Sequence, residues 1–167
     1  MGTGIHGGFG LTAGRHSSSK AGKTKSVKAN YTKEQLIDFI DGITPQSSKI
    51  ADYIRKGKIS INVLGDELFE RAFGVDSNVI GLAIGNRIYI RRDSVSIYSD
   101  LVHEGTHALD YLEGISYENI SSIEGEFRAY KAEHLFQRAA KLPVEFANED
   151  DIKIHLWINY RRKDTEE

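Results

Sequence analysis

A chain of 167 residues with a net charge of -2 is long enough for one domain with a real core and too short for two large ones. Its 40% hydrophobic and 28% charged residues are ordinary for a globular protein, and no apolar run approaches the ~18 residues of a membrane span. Cysteine is absent, which excludes disulfides and thiolate metal sites, so any metal must be held by His, Asp or Glu.

Charge is unevenly placed. Residues 1–33 hold Arg15, Lys20, Lys23, Lys25, Lys28 and Lys33 and no acid, so they carry +6; against a total of -2 the remainder carries -8. An acidic body argues against a nucleic-acid enzyme with a basic face. The stretch "GTGIHGGFGLTAGRHSSSKAGKTKS" has the Gly, Ser and Lys content of a flexible tether and lacks the apolar core of a secretory signal. Residues 1–30 therefore read as a basic linker and 31–167 as the folded domain, beginning near Tyr31.

From Thr32 the pattern becomes helical. "YTKEQLIDFIDG" has Thr32 and Gln35 at capping-box spacing, an apolar stripe at Leu36, Ile37 and Ile40, and Gly42 as a stop. "TPQSSKIADYIRKG" follows, with Thr44 as N-cap, Pro45 at the first helical position, Gly57 as the stop, and Ile50, Tyr53 and Ile54 inward. Residues 59–64, "ISINVL", alternate and are rich in branched side chains, as a strand should be. "GDELFERAFG" reads as a loop with a short helix. Residues 79–84 and 87–91 form a hairpin around the turn signal Gly85-Asn86, with Ile88 and Ile90 on one face and Tyr89 and Arg91 on the other.

Over residues 96–112 the period is helical again. Leu101, Val102, Gly105, Ala108, Leu109 and Leu112 make one stripe, and Gly114 sits where the helix ends. A second long helix is expected from Ser121 or Ser122 to about Ala140, with Ser121 and Glu124 at capping-box spacing and Pro143 beyond its end. "DIKIHLWINY" alternates through Ile152, Ile154, Leu156 and Ile158 and reads as a closing strand, with a helix as the alternative. Together these make an α+β domain: a small mixed sheet of about three to four strands packed on the helix of residues 96–112 and on a second long helix.

The chemistry concentrates in "SDLVHEGTHALDYLEG". His103 and His107 are four apart, so a helix turns both imidazoles to one point. That side lies opposite the apolar stripe, which would hold the pair rigid. Two neutral imidazoles suit zinc, and a tetrahedral catalytic site needs one more protein ligand and an open position for water. Glu104 is placed to accept that water's proton. This is the HExxH pattern, in which the glutamate is the general base of a metallopeptidase.

The third ligand should come from "SSIEGEFRAYKAEHLFQR". Glu124 is occupied by its capping role, and Glu126 is preferred because small Ala129 beside it lets the two helices approach. Glu133 and His134 are reserves. Asp110, three beyond His107, is either a carboxylate that fixes the tautomer of a metal-bound histidine or a surface acid near the helix end. Tyr130, His134, Tyr117 and Arg128 are the candidate donors to a developing oxyanion, and for Tyr130 a core role is the stronger reading.

"LVHEGTHALD" followed by "EFRAY" resembles the gluzincin-type zincin metallopeptidases, in which a glutamate on a later helix joins HExxH in an ExxA-like motif. The likeness covers residues 59–137. It implies a compact zincin-like fold, one zinc ion on His103, His107 and Glu126, and Glu104 as the base for peptide hydrolysis. Where many such enzymes have Asp or Asn after the alanine, this chain has Tyr130. The family fold also lays an edge strand along the cleft, and "NRIYIRR", directly before the HExxH helix, is assigned to it. An extended peptide substrate would add there as a further strand.

More narrowly, the chain is similar to the metallopeptidase toxin domains of bacterial polymorphic toxins. That likeness implies delivery by a secretion system into a target cell cytoplasm and a cognate immunity protein as partner. Two rival readings stand beside the peptidase. One is a non-catalytic, zinc-stabilised protein-binding module on the same scaffold. The other is a nucleic-acid or membrane-surface binder acting through residues 15–33.

Overall fold

A computed structural model describes residues 31–115 and 122–161. Among these the chain forms α1 (Lys33–Ile40), α2 (Pro45–Arg55), β1 (Ser60–Leu64), α3 (Asp66–Phe73), β2 (Gly81–Ile84), β3 (Arg87–Arg91), α4 (Ile97–Leu112), α5 (Ser122–Ala139) and α6 (Glu149–Arg161). Six helices and one small mixed sheet make an α+β fold, as the patterning requires. The basic arm, Tyr117 and the Ser121 half of the expected capping box lie outside the described residues.

Local signals start the first two helices. Thr32 Oγ1 accepts from the Gln35 N–H at 3.1 Å, while Gln35 Oε1 accepts from the Thr32 N–H at 3.0 Å. Thr44 and Ser47 repeat the exchange at 3.0 Å in each direction, with Pro45 at the first helical position. Both pairs satisfy amides that a helix start leaves without partners.

The sheet runs in the order β1-β3-β2, with β1 parallel and β2 antiparallel to β3. This corrects one expectation: β3 is the centre of the sheet, and β2 is an edge. The reason is long-range. Ile61 and Val63 of β1 lie in register with Ile88 and Ile90 of β3, so pairing them extends one branched apolar face. On β2 the same face carries only Gly81 and Ala83, opposite Ile90 and Ile88.

The two faces of the sheet enter different cores. Ile61, Ile88 and Ile90 pack with Leu36, Ile40, Ile50, Leu101, Val102 and Leu109 from the surrounding helices. On the reverse face Leu82 and Tyr89 pack with Phe69 and Phe73 of α3. Buried Arg91 completes that reverse face. Its guanidinium lies over the Phe69 ring, donates to the carbonyls of Val79 (2.6 Å) and Asp76 (2.7 Å), and pairs with Glu70 at 3.0 Å and Asp66 at 3.3 Å.

Helix α4 is the axis of the molecule. Every residue of it from Ser99 to Asp110 is buried, not only the predicted stripe, and Leu112 at the end of that stripe is exposed. The histidine side faces α5 rather than solvent. Gly105 faces α2, where a Cβ would stand 2.7 Å from Ile50 Cγ2 and 2.8 Å from Ile50 Cδ1.

The final segment is helical, which corrects the closing strand. Asn148 Oδ1 accepts from the Asp151 N–H at 3.0 Å, and Glu149, Asp150 and Asp151 put negative charge on the first turn. Only Ile152 and Leu156 of the alternating set are buried, one helical turn apart against Tyr130, while Ile154 and Ile158 are exposed. No helix among the described residues is long and apolar enough to cross a membrane.

The α2–α4 approach has a measurable consequence. Alanine is the better helix former by ~1 kcal/mol, yet Gly105→Ala is expected to destabilise the protein by about 1–3 kcal/mol through the collision with Ile50. Equilibrium denaturation measures this, and a stabilised variant would show that the two helices are not in contact there.

Candidate metal centre

The site is built where α5 lies along α4. His103 and His107 project from successive turns, their ring centroids 5.1 Å apart and their planes inclined at 71°. Glu126 enters between them from α5: Oε2 lies 3.2 Å from His103 Nε2, and Oε1 lies 3.1 Å from His107 Nε2. Buried Ala129, one turn along α5, leaves room for that approach. One ligand atom from each of the three residues lies within 4.8 Å of the other two, and all three side chains are buried.

These residues fit a metal ion. A tetrahedral ion with bonds of about 2.0–2.2 Å separates its ligands by about 3.3–3.6 Å, close to the two imidazole–carboxylate spacings seen here. Neither Glu126 oxygen accepts a hydrogen bond from a described residue, although both are buried. Buried carboxylates are costly unless paired, so a pair of oxygens aimed at two imidazole nitrogens is the mark of a donor set.

Electrostatics agree. Burial alone would raise the Glu126 pKa, but His107 and His103 outweigh it and hold the carboxyl well below the usual range. Burial works in the opposite sense on His107, and there too the Glu126 charge prevails and raises its pKa. Glu104 is close enough to push the same way. It is itself buried, on the side of α4 that meets β2 at Gly81.

The remaining candidates separate. Glu133 lies outside the grouped ligand atoms: its Oε2 lies 3.0 Å from His103 Nδ1, the nitrogen turned away from Glu126. Gln137 donates to the other Glu133 oxygen at 3.1 Å and accepts from the Glu145 N–H at 3.3 Å. Asp110 does not fix a histidine; it forms a two-point pair with Arg128 at 2.8 and 2.9 Å, which occupies that guanidinium. Tyr130 is buried, packs its ring edgewise on His103 at 4.6 Å and also joins the Ile152 and Leu156 cluster. His134 is buried on α5, outside the grouped ligand atoms.

The sequence held a signal for Glu133 that was read differently. It lies seven residues, two helical turns, from Glu126 and so shares its face. Gly81, in contrast, gave no local signal. Comparison with protein-family models, with curated proteins and with solved structures gives no match.

Two outcomes follow. A carboxylate on the far nitrogen of a ligand histidine fixes its tautomer, so Glu133→Gln is expected to weaken zinc binding about 10–100-fold in competition with a chelator. Unchanged affinity would remove Glu133 from that role. The second concerns pH. The lowered Glu126 pKa contributes stability that is full above its ordinary value of 4.5 and is lost as pH falls through the folded value. The raised His107 pKa contributes stability that is full below 6.5 and is lost as pH rises through the folded value. Metal-free protein should therefore lose melting temperature on the alkaline side. Zinc requires neutral imidazoles, so its addition should reverse that limb. Calorimetric scans across both limbs, with and without zinc, check this, and an alkaline limb indifferent to zinc would contradict it.

Proposed function

We propose that this protein is a zinc-dependent endopeptidase that hydrolyses a peptide bond held beside β2. The observation that carries this reading is the meeting of His103, His107 and Glu126 at one buried point, with Glu104 next to His103 on the same helix. Three protein ligands suit a hydrolytic zinc site, which keeps one position open, whereas structural sites fill all four. A bound zinc ion supplies Lewis acidity toward a substrate carbonyl and toward water. Glu104 accepts the proton of the attacking water and returns it to the leaving amine. Glu133 keeps the His103 ring turned to the metal.

The edge of the sheet supports a peptide substrate. The Arg91 N–H donates to the Ile80 carbonyl at 3.0 Å, so Ile80 and Arg91 are a hydrogen-bonded pair of the hairpin. By alternation Leu82 and Ile84 turn their amide groups toward β3, and Gly81 and Ala83 turn theirs outward. No described strand pairs with that side of β2. An extended peptide adding there runs past Glu104, on β2 rather than on β3 as the sequence order suggested. The resemblance to polymorphic-toxin peptidases extends the proposal to a delivered effector domain with an immunity protein that blocks this cleft; it rests on the composition of residues 1–33 and the acidic body.

Mass spectrometry of a proteome-derived peptide library incubated with zinc-loaded protein tests the activity. Glu104→Gln should retain one zinc per chain and lose about 10²–10⁴-fold in cleavage, whereas His103→Ala and His107→Ala should also lose the metal. Full cleavage by Glu104→Gln would defeat the mechanism. Zinc binding without any cleavage by the unaltered protein would favour the binding-module reading instead.

A further inference from the structure

Gly81 is the first residue of β2, and its φ lies outside the left-handed region, so backbone conformation does not demand glycine there. Glycine inside a strand is unfavourable, and the usual reason to find one is a close approach of something else. Here that neighbour is Glu104. A Cβ at position 81 would stand 3.1 Å from Glu104 Cγ and 3.3 Å from Glu104 Oε1, tighter than ordinary carbon contacts. The next atom, the Tyr89 carbonyl oxygen at 3.4 Å, is at ordinary contact distance. Glu104 is buried, and Ala83, the next β2 residue on the same face, is buried and small. The strand therefore lies on the glutamate with no side chain between.

We infer that Gly81 is a positioning residue for Glu104: the missing side chain lets β2 bear on the glutamate and sets where its carboxylate stands beside His103, His107 and Glu126. The inference rests on the peptidase reading for its functional meaning, but the contact itself does not. The same glycine turns its N–H and carbonyl to the open side of the strand. The residue that locates the base thus also lies in the row of groups that would hold the substrate backbone. A methyl group at 81 would move the carboxylate by a few tenths of an ångström away from the strand, a displacement at the reacting centre rather than in the ligand set.

A stability cycle on the zinc-loaded full chain decides the contact. With Glu104 present, Gly81→Ala is expected to lower the melting temperature. In the Glu104→Ala chain the same change should leave it unchanged or raise it, because alanine there no longer meets the carboxylate and restricts the unfolded chain. A rise in both backgrounds overturns the inference. The carboxyl carbon-13 resonance of Glu104 should shift in Gly81→Ala while zinc affinity stays within about twofold; an unmoved resonance overturns it as well. Against a peptide the unaltered protein cleaves, turnover at saturation should fall about tenfold, and unchanged turnover removes the functional role. If the unaltered protein cleaves nothing, the peptidase reading fails alone, and the melting and resonance data still judge the contact.

Discussion

A carboxylate buried between two imidazoles is the constraint around which this molecule is arranged. Taking Glu126 out of water costs several kcal/mol unless positive or metal charge meets it, and removing one member of such a set leaves the others uncompensated. The seam between α4 and α5 therefore has little freedom to slide. His103 meets one Glu126 oxygen and His107 the other, so a shift of either helix along its axis would break both contacts together. Glu133, Gln137 and the Glu145 amide continue the network away from the centre and tie the segment before α6 to the same ring.

The burial of α4 follows from this. A helix that turns two histidines to one neighbour, a glutamate to a second and a glycine to a third needs a partner on every side. Here these are α5 toward the histidines, β2 toward Glu104 and α2 toward Gly105. The sheet is small because its task is limited: one face covers α4, and the other is closed by α3 through Phe69, Phe73 and Arg91.

How much of this was legible in the amino-acid order depends on distance along the chain. The capping box at Thr32, the N-cap at Thr44, the Gly85-Asn86 turn and the HExxH helix are short-range patterns, and each is found where it was read. The meeting of Glu126 with the two histidines was legible because Ala129 argues for close helices. Strand order was not, since β1 reaches β3 across α3 and β2, and no local pattern encodes which edge it joins. The segment from Asp151 to Tyr160 misled because apolar residues two apart are also four apart. Asn148 and the three acids after it held the deciding signal. Asp110 read equally as an orienting carboxylate or a surface acid because nothing in its own helix announced Arg128, eighteen residues on.

Arg91 anchors one end of the hairpin. Upstream, its guanidinium grips the carbonyls of Asp76 and Val79, so the chain is nailed down just before β2 begins. At the other end the Asn86 side-chain amide donates to the Lys58 carbonyl at 2.8 Å and the Asn86 carbonyl accepts from the Ser60 N–H at 3.0 Å, so the bend is tied to the start of β1. Extra residues at the bend would part Asn86 from β1. The same insertion between Asp76 and Ile80 would drag β2 across the face of α4. Neither end of the hairpin therefore has slack to absorb a change in loop length, and a tag or graft belongs away from both.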